Sequence, residues 1–547
     1  MRLAHRSLDV ARAGGRGGRA AGERGRIASR DGHVGWATTN HRARVSIVMR
    51  ASADAERVRR LQNGSDVRGV AMDGVEGEAV TLDATTARAI GTAFAEWLAR
   101  DESSAQGKTI GVGRDPRLSG EALRDGMFAG MVEAGATVVD MGLATTPACF
   151  MSCVTEGVEY DGAVMLTASH LPFNRNGMKF FTKHGGLDKP DIKEICARAA
   201  ELVEAGGGDA KAPAGVTSAP FLPTYAVQLC EIIRKGVNSK DNYEKPLSGM
   251  KIVVDAGNGS GGFFVDMVLN QLGADTTGSQ FLDPDGNFPN HSPNPEDKAA
   301  MEAGVRAVLN AKADLGIVFD TDVDRSAVID ASGKEINRNK LIALLSEIVL
   351  KETPGVDNRH GQGGKHLRFM ARDTRTVIQL RARKLNAECA ENYDWMTVRT
   401  WVTILEAVRR RNAKEPSIGQ VLESLEEPLE EAEVRLKISD PDFKEYGLNV
   451  IESLLAEVND TVEHSSFGKC RPAEDNYEGL RVCVDEGNGK QGWFLLRCSL
   501  HDPVMVLNFE SQVEGGVRVM AEEFGTWILD QNYDKLDCSS VHELYSN

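Results

Sequence analysis

The chain has 547 residues, 41% of them hydrophobic and 26% charged, with a formal net charge of −16. At roughly 100–200 residues per domain, that length predicts three or four domains rather than one core. No stretch approaches the ~18 uninterrupted apolar residues of a membrane span; the nine scattered cysteines form no CxxC pair and suit neither a zinc site nor a disulfide scaffold; and an acidic body is a poor partner for nucleic acid.

Charge is uneven along the chain. The first fifty residues hold eleven Arg, no Lys and only three acids (Asp9, Glu23 and Asp31), so the remainder carries −24. Residues 1–57 therefore read as a transit peptide: Arg-rich, acid-poor, rich in Gly and Ala, and without a secretory apolar core. A disordered basic tail is the plainer alternative. The run 45–51 is the expected processing region. The expected destination is a plastid, with mitochondrion or cytoplasm as alternatives.

From about residue 58, short apolar runs alternate with helical patterns. Lys108–Gly113, Thr137–Met141 and Gly162–Leu166 are expected strands, with a helix over Glu121–Ala134. The unit recurs as a strand at Lys251–Asp255, a helix at Phe263–Leu272 and a strand at Leu315–Phe319. Runs of four to six apolar residues between helices indicate buried parallel strands in α/β layers. Ala205–Pro220, rich in Gly, Ala and Pro, reads as a linker. The expected domains are 58–206, 221–335, 336–430 and 431–547.

Four motifs carry possible chemistry. In the first, the strand Gly162–Leu166 runs into Thr167-Ala168-Ser169-His170, which presents a hydroxyl at the carboxyl end of a sheet, where α/β folds bind ligands. A serine there can carry a phosphoryl group covalently. His170 and Lys179 can supply acid–base help or positive charge. A polar loop with a capping serine explains the same residues on their own.

The second is Asp320-Thr321-Asp322-Val323-Asp324-Arg325, directly after an apolar strand. Three acids at alternate positions of an extended segment point to one side. Their hard oxygens suit Mg²⁺, which keeps phosphate as a further ligand. A calcium loop of the helix–loop–helix type needs Gly and Glu where Arg325 and Ala331 stand, so that reading fails. A solvated acidic turn explains poorly why three like charges follow a buried strand.

The third, Asp255-Ala256-Gly257-Asn258-Gly259-Ser260-Gly261-Gly262, holds a GxGxxG pattern after a strand. A tight strand-to-helix turn explains it equally, and Asp255 stands unfavourably close to any phosphate. The fourth is an apolar strand that delivers Arg497, Ser499 and His501 at alternate positions, a possible phosphate clamp. A strand with a solvated face is the even alternative.

In this order the motifs resemble the α-D-phosphohexomutase superfamily. Thr167-Ala168-Ser169-His170 looks like its phosphoserine loop, and Asp320, Asp322, Asp324 and Arg325 like its magnesium loop. Asn63–Gly69, Val112–Asp115, Thr145-Thr146-Pro147 and Pro284–Pro295 resemble flanking stretches of the first two domains. The resemblance is good over about residues 60–340. It implies three α/β layered domains with mixed sheets plus a smaller α+β C-terminal domain, around a central cleft. It implies Mg²⁺ held by Ser169, Asp320, Asp322 and Asp324, with Arg68, Lys179 and Arg325 adding charge. Arg497, Ser499 and His501 would hold the substrate phosphate.

The implied reaction moves a phosphoryl group between the 1- and 6-positions of a hexose phosphate, through phosphoserine 169 and a sugar bisphosphate. The expected partner is that substrate alone, with no nucleic acid and no membrane, in a monomer or weak dimer. No Gly-Glu-Xaa-Ser-Gly sugar loop of the family occurs between 336 and 430. Residues 360–383 instead carry five Arg and Lys365 against the single acid Asp373. Loose packing at 359–383 and weak turnover are therefore expected. The alternative functions are an inactive or weakly active phosphosugar-binding relative and, more remotely, a nucleotide-dependent oxidoreductase.

Overall fold

The structure is a computed structural model. It describes residues 52–336 and 403–546, apart from 102–104, 207–212, 214–215, 405–406, 409, 423–427, 441, 460–468, 474–475, 477–478, 500–502 and 532. Residues 1–51 and 337–402 lie outside this set. The expected leader, apart from its last few residues, and the Arg-rich segment 359–383 fall there.

The first sheet is mixed. Its strands are β1 (Gln62–Asn63), β2 (Asp66–Val70), β3 (Thr109–Arg114), β4 (Thr137–Leu143), β5 (Gly162–Leu166), β6 (Arg175–Thr182), β7 (Gly185–Gly186) and β8 (Thr217–Ser218), in the order β1-β2-β6-β5-β3-β4-β8 with β7 beside β6. β3 pairs in parallel with β4 and β5, whereas β6 runs antiparallel to β5 and β2. Every residue of β5 is buried. An unbroken apolar run without alternation is what a strand covered on both faces requires.

One cover is a pair of helices, Ala84–Leu98 and Gly120–Glu133, which approach backbone to backbone. A Cβ at Gly126 or Gly130 would collide with the carbonyls of Ala84 and Arg88. Thr92 uses that closeness to donate to the Gly130 carbonyl at 3.1 Å.

The second sheet orders β11-β10-β9, with β9 (Ile252–Asp255) parallel to β10 (Leu315–Phe319) and β11 (Ser326–Asp330) antiparallel to it. The expected helix over Phe263–Leu272 is instead a 3₁₀ turn at Ser260–Gly262 followed by a π-helix at Phe264–Leu269. Its Phe264 ring meets Phe319 of β10 edge-on at 5.5 Å.

The third sheet is wholly antiparallel, in the order β13-β14-β15-β16-β12-β17. Its strands are β12 (Glu430–Ile438), β13 (Cys470–Pro472), β14 (Leu480–Gly487), β15 (Lys490–Cys498), β16 (Val504–Ser511) and β17 (Leu536–Asp537). Helices Phe443–Asn459 and Gly516–Asp530 close its core around Phe494, Phe509, Phe524 and Trp527.

Two boundaries need correction. Thr217–Ser218 adds a strand to the first sheet through β4, so 205–220 is more than a linker. The helix Leu222–Val237 then buries Tyr225, Leu229 and Ile233 in one cluster with Phe150 of the first region and Phe264 of the second. That cluster also takes in Ile404, Val408 and Ile418, so the described part of the expected third domain shares the second region's core.

Candidate active site

Ser169 stands where β5 ends. Thr167 Oγ1 accepts the Ser169 N–H at 2.9 Å, a short side-chain turn that ends the strand. Ser169 adopts φ +51°, a left-handed conformation that a non-glycine residue keeps only when its surroundings enforce it. Its hydroxyl donates to Asp320 Oδ2 at 3.2 Å and accepts from Arg325 at 3.0 Å. Residues 169 and 320 thus meet between the carboxyl ends of β5 and β10.

The acidic loop is not extended, as the alternation of its acids suggested. It is a tight turn: Asp320 N–H donates to the Arg325 carbonyl at 3.1 Å, Val323 N–H to the Asp320 carbonyl at 3.3 Å, and Val323 has φ +62°. The turn, rather than strand geometry, brings carboxylate oxygens of Asp320, Asp322 and Asp324 within 4.8 Å of one another. Asp320 and Asp322 are fully buried. Asp322 Oδ1 and Asp324 Oδ1 are buried with no hydrogen-bond partner. Buried carboxylate oxygens without a hydrogen-bond donor, on three acids that converge within 4.8 Å, fit a hard divalent cation that takes oxygen ligands.

Positive charge frames the acids. Lys179, opposite Met165 on β6, donates to Asp322 at 2.9 Å and also to Asp324. Burial works against its charge, but Asp322 and Asp324 outweigh it and push its pKa up. Burial likewise opposes ionisation of Asp322, yet Lys179 and the Thr146 hydroxyl hold its pKa well below the usual range. Asp320 goes the other way: burial and its two acidic neighbours raise it. Arg325 grips Asp320 through its backbone N–H at 2.9 Å and its Nε at 3.1 Å.

The remaining candidates divide. Arg68 donates to the Thr167 carbonyl at 2.7 Å and to Asp66 at 2.8 Å, so it braces the root of the serine loop. It can lie there because a Cβ on Gly177 would collide with the Val67 carbonyl and crowd Arg68 Cδ. His170 is exposed beside the serine. The packing it has, and the Arg325 charge, push its pKa down.

Arg497 lies on β15 of the C-terminal sheet, and among the described residues no hydrogen bond or ion pair joins it to the Ser169 cluster. The expected strand ends at Cys498. Ser499 therefore lies just past the strand, its N–H donating to the Val504 carbonyl at 2.9 Å, and the alternate-position argument does not reach it. His501 lies outside the described residues.

The glycine-rich turn spends its amides internally. Gly257 N–H donates to Asp255 at 2.9 Å, Gly259 N–H to the Ala256 carbonyl and Ser260 N–H to the Thr321 carbonyl, both at 2.8 Å. These bonds close the turn on itself and tie it to the Asp320 loop through the Thr321 carbonyl.

Sequence reasoning missed Thr146 and Arg117. Thr146 starts a helix after its N-cap Thr145 and bonds Asp322; the Thr-Thr-Pro stretch reads only as a family resemblance, which does not reveal that partner. Arg117, two residues past Asp115, holds the serine loop from beneath, and no local pattern marks it.

Residues 59–205 match the family model described as phosphoglucomutase/phosphomannomutase, alpha/beta/alpha domain I, and residues 230–333 match domain II of the same description. A phosphomannomutase/phosphoglucomutase of Pseudomonas aeruginosa is 29% identical over 469 residues, covering 82% of this chain and 91% of that protein. One from Pseudomonas putida is 27% identical over 493 residues, covering 85% and 94%. The solved structure of a phosphoglucomutase/phosphomannomutase family protein from Burkholderia thailandensis shares the fold with a TM-score of 0.62 at 22% identity, covering 85% of this chain and 96% of that one.

Proposed function

The chain belongs to the α-D-phosphohexomutase superfamily, and from that premise we propose that it interconverts the 1- and 6-phosphates of a hexose through a phosphoserine at Ser169. The observation that carries this reading is the Ser169 hydroxyl held between Asp320 and Arg325, at 3.2 and 3.0 Å. A nucleophile that must take and release a phosphoryl group needs positive charge and a cation site at its oxygen, and both converge there.

Ser169, Asp320, Asp322 and Asp324 would hold Mg²⁺. When bound, the ion supplies neutralisation of the charge on the phosphoryl group. The chain's residues do the rest. In the first half-reaction a hydroxyl of the hexose monophosphate attacks phosphorus on Ser169. The bond from phosphorus to the new oxygen forms, and the bond to Ser169 Oγ breaks. The sugar hydroxyl loses one proton and Ser169 Oγ gains one, and His170 beside the serine is suited to relay it. The resulting bisphosphate reorients and returns its other phosphoryl group to Ser169 by the reverse exchange. Arg325 steadies Oγ as charge appears on it. Lys179, kept charged by its two carboxylates, balances the acidic loop. Arg497, Ser499 and His501 are proposed to bind the phosphate that is not transferred.

Peptide mapping by mass spectrometry of protein incubated with a hexose bisphosphate tests the reading. Phosphate is expected on Ser169, and Ser169→Ala is expected to abolish both the label and turnover. Full turnover in Ser169→Ala would refute the reading. The basic head is proposed to be a plastid transit peptide that ends before residue 52, because the expected bound at 57 would remove a helix whose Ala55 is buried in the first core and whose Arg57 bonds the Thr81 carbonyl.

A further inference from the structure

Arg117 is 1% exposed. Its Nε donates to Asp115 Oδ2 at 3.1 Å. One terminal nitrogen donates to the carbonyls of Pro172 and Arg175, at 2.6 and 3.1 Å, and the other to those of Ser169 and Leu171, at 2.5 and 2.7 Å. A guanidinium has five N–H donors in a fixed fork, and here they face one carboxylate and four carbonyls. All four carbonyls belong to the loop 169–175 that carries the serine. Asp115 Oδ1 accepts the Arg117 backbone N–H at 3.0 Å, which fixes the base of the fork.

The far side of the same side chain reaches the second region. The guanidinium carbon lies 5.3 Å from the centre of the Phe288 ring, and a Cβ on Gly286 would collide with the Pro116 carbonyl. The loop 115–119 is therefore wedged between the serine loop and the 286–288 turn. Asn176 adds a bond to Ser119 Oγ at 2.9 Å. The held loop is the one in which Ser169 keeps its left-handed backbone, and such strain persists only where the surroundings over-determine it.

We propose that Arg117 is a positioning residue for phosphoryl transfer: its fork holds the 169–175 loop in the shape that presents Ser169 to Asp320 and Arg325, without itself touching substrate. This rests on Ser169 being the carrier. In a trans peptide the N–H points opposite to the C=O, so gripping the Ser169 carbonyl also sets the direction of the His170 N–H. The serine's oxygen, its neighbour's amide and the Asp320 loop are then fixed together before substrate arrives. Lysine keeps the charge but offers three donors from a single atom, which cannot serve acceptors spread along a fork.

The test is Arg117→Lys in the full chain, assayed with Mg²⁺, a hexose 1-phosphate as substrate and a catalytic amount of hexose bisphosphate to load Ser169. We expect kcat to fall on the order of a hundredfold, the scale of a small misplacement of reacting groups, while KM stays within about threefold. Peptides covering 168–176 should exchange amide hydrogens faster, with β5 keeping its protection. Asp115→Asn, which loosens the base but leaves the fork, should give the same split to a smaller extent, and it carries the test if Arg117→Lys does not fold. Adding guanidinium to Arg117→Gly should recover turnover, and methylammonium should not. Unchanged kcat in a folded Arg117→Lys, a rise in KM alone, or unchanged exchange at 168–176 would each overturn the proposal. The exchange readout does not depend on turnover. A wild-type chain without phosphate on Ser169 would therefore remove the carrier reading, while the exchange result still decides whether Arg117 holds the loop.

Discussion

Thr146 grips Asp322 twice: its hydroxyl donates to Oδ2 at 2.5 Å, and its backbone N–H donates to the Asp322 carbonyl at 2.9 Å. The two residues are 176 positions apart in the chain. A helix start in the first region therefore fixes both the side chain and the backbone of an acid in the second. The acidic turn is held from outside itself, and its geometry depends on how the two regions meet.

Thr146→Val removes the hydroxyl, keeps the shape and leaves the backbone bond. Partners that orient a metal ligand typically contribute 10- to 100-fold in affinity. Mg²⁺ affinity, measured by calorimetric titration, is expected to fall by about tenfold or more, and Thr146→Ser should restore it. Wild-type affinity in the valine variant would show that Asp322 needs no such partner.

The acidic turn also predicts an inverted pH response. Burial and the neighbouring acids raise the Asp320 pKa well above 3.8. For an acid with a raised folded pKa, the folded chain holds a proton that the unfolded chain has lost, so stability falls as pH rises through that window. In chelator, Asp320→Asn should be more thermostable than wild type near neutral pH, with the difference shrinking toward about pH 4. Added Mg²⁺ should raise the wild-type Tm but not that of the variant. A pH-independent difference would contradict this account.

His291 reports on a different contact. Its Nε2 lies 3.0 and 3.1 Å from the two oxygens of buried Asp255, and its Nδ1 lies 2.8 Å from the Ser292 carbonyl. Burial disfavours the imidazolium, but the Asp255 bond and charge prevail and raise its pKa above 6.5. Stability from this pair is present in full below the unfolded value and lost as pH rises through the raised folded one. His291→Gln should therefore cost about 2 kcal/mol at pH 6, and less as the pH is raised above neutrality. Equal costs at pH 6 and well above neutrality, each read from a denaturant titration, would rule out the imidazolium.

The basic head makes a prediction of its own. Residues 1–57 fused to a fluorescent reporter should direct it into plastids, and replacing the eleven Arg of the first fifty residues with Gln should abolish import. Accumulation in mitochondria would keep the leader and change its address.

Much of this was written locally in the chain. The unbroken apolar runs Gly162–Leu166 and Leu315–Phe319 marked buried strands because a strand covered on both faces needs no polar alternation, and both strands are where they were expected. The chemistry followed from position: a serine after one strand and three acids after another. The sequence by itself thus determined where these two buried strands lie and that Ser169 and the three acids stand just beyond their carboxyl ends.

Tertiary structure decided how those residues meet. The acids converge through a turn with a left-handed Val323 rather than through strand alternation. Arg68 braces the Thr167 carbonyl instead of the serine hydroxyl. Thr146 and Arg117 gained their roles from partners far along the chain. A helix start and an arginine after an Asp are ordinary local patterns. Their meaning comes from burial, which leaves a charged or polar group no stable state except the partner that packing brings to it.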